Sequence, residues 1–176
     1  MGEVLDLQNP GGPKLTGPTP ILREHDTSRF RCRHERMDRW LKNTALQAES
    51  RTARTYVVCP NNSQAVVGYY CLATGSVARA EVGNALGFVP DPVPAMVLGR
   101  LAVDLDYEGK GIGGGMLKDA LQRTLLVSQT AGVRCILIHA IDEDAVSFYK
   151  RYEFLTFPTD PKILYLPIET IAASLT

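Results

Sequence analysis

Between Ala95 and Ser128 the sequence sets a strand, a glycine-rich turn and a long helix in direct succession. Ala95 to Val103 is a mostly apolar run of strand length. Glycines at 109, 111, 113, 114 and 115 then open a segment in which Leu117, Ala120, Leu121 and Leu125 recur at helical spacing. A chain with this order must cross from one strand over a helix to another, which points to an α/β sheet protein. By itself the turn reads either as a flexible surface turn or as an anion site. First-turn N–H groups of a helix have no intrahelical partners, and the helix dipole places partial positive charge beside them. Glycines admit phosphate oxygens close to the backbone, and Lys110 adds a full charge. The turn is not a P-loop, because no Gly-Lys-Ser/Thr ending is present. It also departs from the dinucleotide fingerprint, whose glycines follow the strand directly rather than an acidic run.

The remaining pattern supports the same class. Ile21-Leu22 reads as a short first strand, and Asp26, Thr27 or Ser28 as the cap of a first helix. A second helix is expected from Glu35 to Glu49. Thr55 to Cys59 and Ala65 to Ala73 read as a hairpin around Pro60-Asn61-Asn62-Ser63. Cys135 to His139 is a buried-looking strand, and Asp142 to Arg151 a helix with Ala145, Phe148, Tyr149 and Tyr152 on one side. Strands near Phe154 and at Ile163 to Leu166 form a terminal hairpin, and Pro167 suits the first turn of a last helix. Residues 1–19 carry Pro10, Pro13 and Pro18 among glycines and read as a leader that drapes over the domain or a partner. Residues 20–176 are expected to form one domain.

No run of eighteen apolar residues occurs, so neither a spanning helix nor a membrane partner is expected. The N-terminus lacks the basic-then-apolar order of a secretory signal. Cys32, Cys59, Cys71 and Cys135 have no Cys-x-x-Cys spacing and no ligand spacing with the histidines. They read as reduced core thiols of a cytoplasmic protein, with no metal. Net charge is zero, yet Arg23 to Arg54 holds nine basic residues against five acidic ones, a local excess of four. Such a stretch is either a polyanion surface or a solvated helix face with internal pairs.

Leu101-Ala102-Val103-Asp104 followed by Gly109-Lys110-Gly111-Ile112-Gly113 resembles the signature segment of the GNAT acetyltransferase superfamily. Ala145-x-x-Phe148-Tyr149-x-x-Tyr152-x-Phe154 resembles its second signature. At finer grain, Phe30-x-Cys32, Asp38-x-Trp40-Leu41, Ala53-Arg54-Thr55-Tyr56-Val57, Gly68-Tyr69-Tyr70 and Leu98-Gly99-Arg100 are similar to the acetyltransferase toxins of bacterial type II toxin–antitoxin systems. That likeness runs from about Pro20 to Pro167.

The resemblance implies a GNAT fold, a mixed central sheet of about six to seven strands flanked by helices. It implies acetyl-CoA as co-substrate and direct attack by an amine on the thioester. Leu101, Ala102 and Val103 would hydrogen-bond pantetheine through their backbone. Gly109, Lys110, Gly111, Ile112, Gly113 and Gly114 would hold the pyrophosphate, and Asp142 and Ser147 would flank the thiol end. Tyr149 would be the general acid that protonates the leaving thiolate. By itself Tyr149 reads equally as one more aromatic beside Phe148 and Tyr152. The implied acceptor is the α-amino group of aminoacyl-tRNA, whose acetylation blocks translation. Arg33, Arg36, Arg39, Arg51 and Arg54 are the candidates for holding the RNA. The implied partners are a ribbon-helix-helix antitoxin and a second copy of the chain. Glu108 stands where the superfamily has Gln or Arg, and Glu153 where it has glycine. These departures keep open a weakened acetyl-CoA-binding relative, and the net-neutral chain also fits a small-amine or protein N-acetyltransferase.

Overall fold

The structure, a computed structural model, describes residues 14–176. Seven strands form one mixed sheet in the order β1-β2-β3-β4-β5-β7-β6. They are β1 Thr19–Pro20, β2 Arg54–Val58, β3 Gly68–Val77, β4 Val93–Val103, β5 Cys135–His139, β6 Leu155–Thr156 and β7 Ile163–Pro167. Six helices accompany them: α1 Glu35–Asn43, α2 Ala45–Ala48, α3 Arg79–Val82, α4 Ile112–Ser128, α5 Glu143–Lys150 and α6 Ile168–Leu175. β4 pairs with β5 in parallel over Ala95–Leu98 and Cys135–Ile138. A parallel pair needs a crossover connection, and α4 supplies it. β5 and β6 each pair antiparallel with β7.

The contacts divide the chain into two compact units, and β3, β4 and α4 each run through both. The first comprises residues up to Leu72 together with Arg100–Asp119. Its core gathers Ile21, Phe30, Leu41, Val57, Tyr69 and Ala102, with Met37 and Trp40 packed against it. The Tyr69 ring stacks on Trp40 at 5.9 Å and meets Phe30 edge-on at 5.5 Å. Its hydroxyl donates to the Met37 carbonyl, so the aromatic centre carries no orphaned phenol. The second unit comprises Ala73–Gly99 and Ala120–Thr176. Val77, Val82, Val93, Leu137, Phe157 and Tyr165 lie in its core.

Several expectations shift on inspection. The first strand is Thr19–Pro20 rather than Ile21-Leu22; Ile21 N–H still donates to the Thr55 carbonyl at 2.9 Å. No helix follows Asp26. Its carboxylate accepts from the Ser28 N–H and hydroxyl, closing an Asx turn instead of capping a helix. The next residues are extended because Phe30 and Cys32 are buried while Arg31 and Arg33 are exposed, a period of two. The helix expected from Glu35 to Glu49 breaks at Thr44, whose φ of −124° leaves the helical region. On α4 the buried stripe takes Thr124 instead of Leu125. Thr124 can sit there because its hydroxyl donates to the Ala120 carbonyl at 2.9 Å. The expected leader lies largely in residues 1–13, outside the described residues. From Lys14 the chain runs along the turn after β2: Thr16 N–H donates to the Cys59 carbonyl, and Leu15 is buried.

Candidate active site

The first unit contains the glycine loop. β4 ends at Val103, and a single 3₁₀ turn, Leu105–Tyr107, carries the chain to Glu108. Asp104 organises the passage. Its Oδ1 accepts the Asp106 N–H at 2.9 Å, capping the 3₁₀ turn, and its Oδ2 accepts the Arg31 N–H at 3.0 Å. Its own N–H donates to the Val67 carbonyl, and Leu105 N–H donates to the Arg31 carbonyl. One buried carboxylate therefore fixes the loop's start to the 29–34 segment.

Gly109 and Gly111 then adopt φ of +73° and +78°. That left-handed conformation is nearly free for glycine and strained for other residues, which explains why the turn is written in glycines. Gly115 N–H donates to the Gly111 carbonyl at 3.0 Å, the first rung of α4. The N–H groups of Ile112, Gly113 and Gly114 thus precede the ladder at the helix start. Gly109, Lys110 and Gly111 are exposed, and Lys110 lies over the Tyr107 ring at 4.8 Å. A Cβ placed on Gly109 would meet nothing within 4 Å, so the loop's outer face is open to a ligand. Leu101, Ala102 and Val103 lie on β4 beyond the stretch that pairs with β5. The residues present fit an anion with an extended chain behind it, the form of a coenzyme A pyrophosphate and its pantetheine.

Glu108 does not stand bare. Arg33 grips its carboxylate at both oxygens, Nε to Oε1 at 2.9 Å and Nη2 to Oε2 at 3.0 Å. Arg33 is thus tied to the entrance of the glycine loop. Of the other expected RNA contacts, Arg39 pairs with Glu35 and Arg54 with Glu49, while Arg36 and Arg51 are exposed. A cleft of about 450 Å³ nearby is lined by Arg29, Arg31, Arg39 and Lys42, but also by four carboxylates. It therefore presents no net positive charge.

The second unit contains α5. Asp142 is its N-cap, accepting the Ala145 N–H at 2.8 Å. Ser147 is exposed, and Tyr149 is buried. The Tyr149 ring meets Phe148 at 5.1 Å and Phe154 at 5.6 Å, so its orientation is set by packing. The turn after α5 places Glu153 at φ 68°. Sequence reading did not anticipate the roles of Asp104 and Arg100. An Asp three residues before Tyr107 is a capping signal, but the guanidinium of Arg100 over Trp40 at 4.5 Å has no local signature.

Burial pushes the Cys32 thiol up to about 12 and the Cys59 and Cys135 thiols up to about 11. All four cysteines are buried and none forms a disulfide, so none is placed as a nucleophile. Among the described residues no group of three or more His, Cys, Asp or Glu side chains is placed to hold a metal ion. No helix among them is long and apolar enough to cross a membrane.

The mixed seven-stranded sheet with its β4–glycine loop–α4 crossover has the architecture of an acetyltransferase fold. Residues 51–155 match the acetyltransferase (GNAT) domain family, and the chain belongs to that family. It is 37% identical over 153 residues to the tRNA-acetylating toxin of Mycobacterium tuberculosis, a match covering 86% of this chain and 91% of the relative. It is also similar to the solved structure of AtaT complexed with acetyl-methionyl-tRNAfMet, with a TM-score of 0.84 and 25% identity over 93% of this chain and 100% of that one. A Tyr-to-Phe mutant of the AtaT toxin, bound to the C-terminus of the antitoxin AtaR and acetyl-CoA, has a TM-score of 0.78 at 25% identity, covering 92% and 97%.

Proposed function

We propose that this chain is a toxin that transfers acetyl from acetyl-CoA to the α-amino group of aminoacyl-tRNA and so blocks translation. The observation that carries this reading is the 37% identity, across nearly the whole length of both chains, to a tRNA-acetylating toxin. The glycine loop, with its left-handed glycines and the N–H groups that precede the α4 ladder, supports it on the donor side. The basic residues of α1 and of the segment after α2 support it on the acceptor side, with Arg36, Arg39, Arg51 and Arg54 contacting phosphates. A cytoplasmic location follows from that acceptor. A ribbon-helix-helix antitoxin and a second copy of the chain complete the proposed assembly.

Acetyl-CoA supplies the activated acetyl thioester. The backbone of Leu101, Ala102 and Val103 orients pantetheine, and a backbone N–H near Val103 meets the charge that develops on the carbonyl oxygen. Gly109, Lys110, Gly111, Ile112, Gly113 and Gly114 anchor the phosphates. Asp142 shapes the start of α5 as its cap, and Ser147 borders the thiol end. Tyr149 donates its proton to the departing thiolate. An α-amine has a pKa near ~8, so an appreciable neutral fraction exists at pH 7 and no strong base is required.

The test is acetyl transfer from radiolabelled acetyl-CoA to a pool of charged tRNA, with wild type and Tyr149→Phe compared. Wild type labels aminoacyl-tRNA. Tyr149→Phe keeps acetyl-CoA affinity while its turnover falls by roughly 10²–10⁴-fold. Cofactor binding without label on tRNA turns the reading toward a small-amine acetyltransferase. An unchanged rate for Tyr149→Phe removes the phenol from the chemistry.

A further inference from the structure

A carboxylate at the entrance of an anion loop is electrostatically misplaced. Glu108 immediately precedes Gly109, and its charge opposes the phosphates that the next six residues attract. The structure pairs it with Arg33 in a two-point, fork-to-fork contact. Such bidentate pairs are the strong form of charged hydrogen bonding, and they fix direction as well as distance.

Arg33 is also held from behind. The backbone of Arg31 is bound on both sides, its N–H by Asp104 and its carbonyl by the Leu105 N–H. The Cys32 N–H donates to Asp38 Oδ1 at 2.9 Å, and both Cys32 and Asp38 are buried. Arg33 therefore leaves an anchored strand-like segment at a set position opposite Glu108. The anchor and the loop share one residue, Asp104, so the guanidinium and the glycines are positioned from the same point.

We propose that Arg33 is a cofactor-positioning residue: it cancels the Glu108 charge at the mouth of the glycine loop and thereby makes the loop competent for the pyrophosphate of acetyl-CoA. This rests on the reading that the loop from Gly109 to Gly114 holds that pyrophosphate. The importance of Arg33 is then conditional. With Glu108 present, losing Arg33 exposes a negative charge to the ligand. With Glu108 replaced by a neutral amide, losing Arg33 matters little. An exposed ion pair with no such role contributes little to stability and nothing to ligand affinity.

The experiment is a cycle of acetyl-CoA titrations on wild type, Arg33→Ala, Glu108→Gln and the double variant. S-acetylpantetheine, which lacks the pyrophosphate, serves as a second ligand, and circular dichroism checks folding. Arg33→Ala is expected to weaken acetyl-CoA binding by about sevenfold at low salt, the scale of one carboxylate charge acting on the two charges of a pyrophosphate at ~7 Å in a water-like medium. The loss shrinks at 0.5 M KCl, a salt level at which exposed charges are screened within about one contact shell. Glu108→Gln binds as well as wild type or up to about threefold tighter, and the double variant recovers to within about threefold of wild type. Arg33→Lys keeps most of the affinity, because it keeps the charge. S-acetylpantetheine affinity is unchanged throughout.

An equal loss in the Arg33→Ala and double variants overturns the proposal. So does a loss of tRNA affinity with acetyl-CoA affinity intact, which assigns Arg33 to the RNA face. If wild type binds acetyl-CoA no better than S-acetylpantetheine, the loop does not hold the pyrophosphate, and the proposal falls with that reading.

Discussion

Replacing Asp104 by alanine tests whether one buried carboxylate sets the glycine loop. Two backbone donors lose their acceptor. The Asp106 N–H loses a cap, and such losses cost about 1 kcal/mol. The Arg31 N–H loses a charged acceptor in a part-buried position, at about 1–2 kcal/mol. The expected destabilisation is therefore about 2–3 kcal/mol, which in a domain of this size lowers the melting temperature by about 5–10 °C. Asp104→Asn keeps one acceptor oxygen but turns an amide toward the second donor, so it falls near the midpoint.

The chain has a single tryptophan, and Trp40 packs in the same unit as Asp104. Its fluorescence during urea unfolding reads the stability of that unit directly, and titration with acetyl-CoA reads the loop. Asp104→Ala is expected to weaken acetyl-CoA binding as well, because the 3₁₀ turn into Glu108 is released from the 29–34 segment. A stability change below about 0.5 kcal/mol, within the range of an ordinary surface substitution, refutes the reasoning. So does an asparagine variant less stable than the alanine one.

Two further outcomes follow from strain and titration. Glu153 holds a left-handed φ of 68°, so Glu153→Gly should stabilise the fold by about 0.5–1 kcal/mol after the entropy glycine adds to the unfolded chain; no gain in thermal melting removes the strain. Cys59 and Cys135 are held neutral by burial, up to about 11 against an ordinary 9.0, so the unfolded chain releases protons first as pH rises. Their contribution is whole below pH 9 and declines from there toward 11, so urea midpoints should fall between pH 8.5 and 10.5. Replacing both by alanine should flatten that decline, and an unaltered slope refutes it.

Where side-chain period and turn chemistry act locally, the sequence was a sufficient guide. β4, α4 and β5 fall within two residues of their expected limits, because apolar runs and glycines mark their ends. Failures occurred where a longer contact overrode a local signal. Asp26 satisfies the capping rule, yet the helix it announces loses to an extended segment whose alternate residues Phe30 and Cys32 enter the core. Residues 35–49 carry one helical period, but the backbone leaves the helical region at Thr44, between the buried Leu41 and Ala45.

The same distinction separates the two halves of the site. The glycine loop is legible because its function lies in consecutive backbone groups, whose conformation the residue types dictate. The charge state at its entrance is not legible in that way. Glu108 taken alone argues for a damaged pyrophosphate site, and Arg33 taken alone reads as one more cation on a basic stretch. They stand 75 residues apart, and only the fold cancels one against the other. A charge count along the sequence therefore overstates the basic face and understates the loop. Arg33 pairs with Glu108, an acid outside the Arg23–Arg54 stretch, so the local excess of four falls to three; Glu35 and Glu49, the partners of Arg39 and Arg54, are already among the five acids of that stretch. Exposed pairs of this kind are weak, however, so exchanging a carboxylate for a phosphate costs little. RNA binding by Arg39 and Arg54 is compatible with their pairing, whereas the role proposed for Arg33, held at two points beside the glycine loop, sets it apart from them.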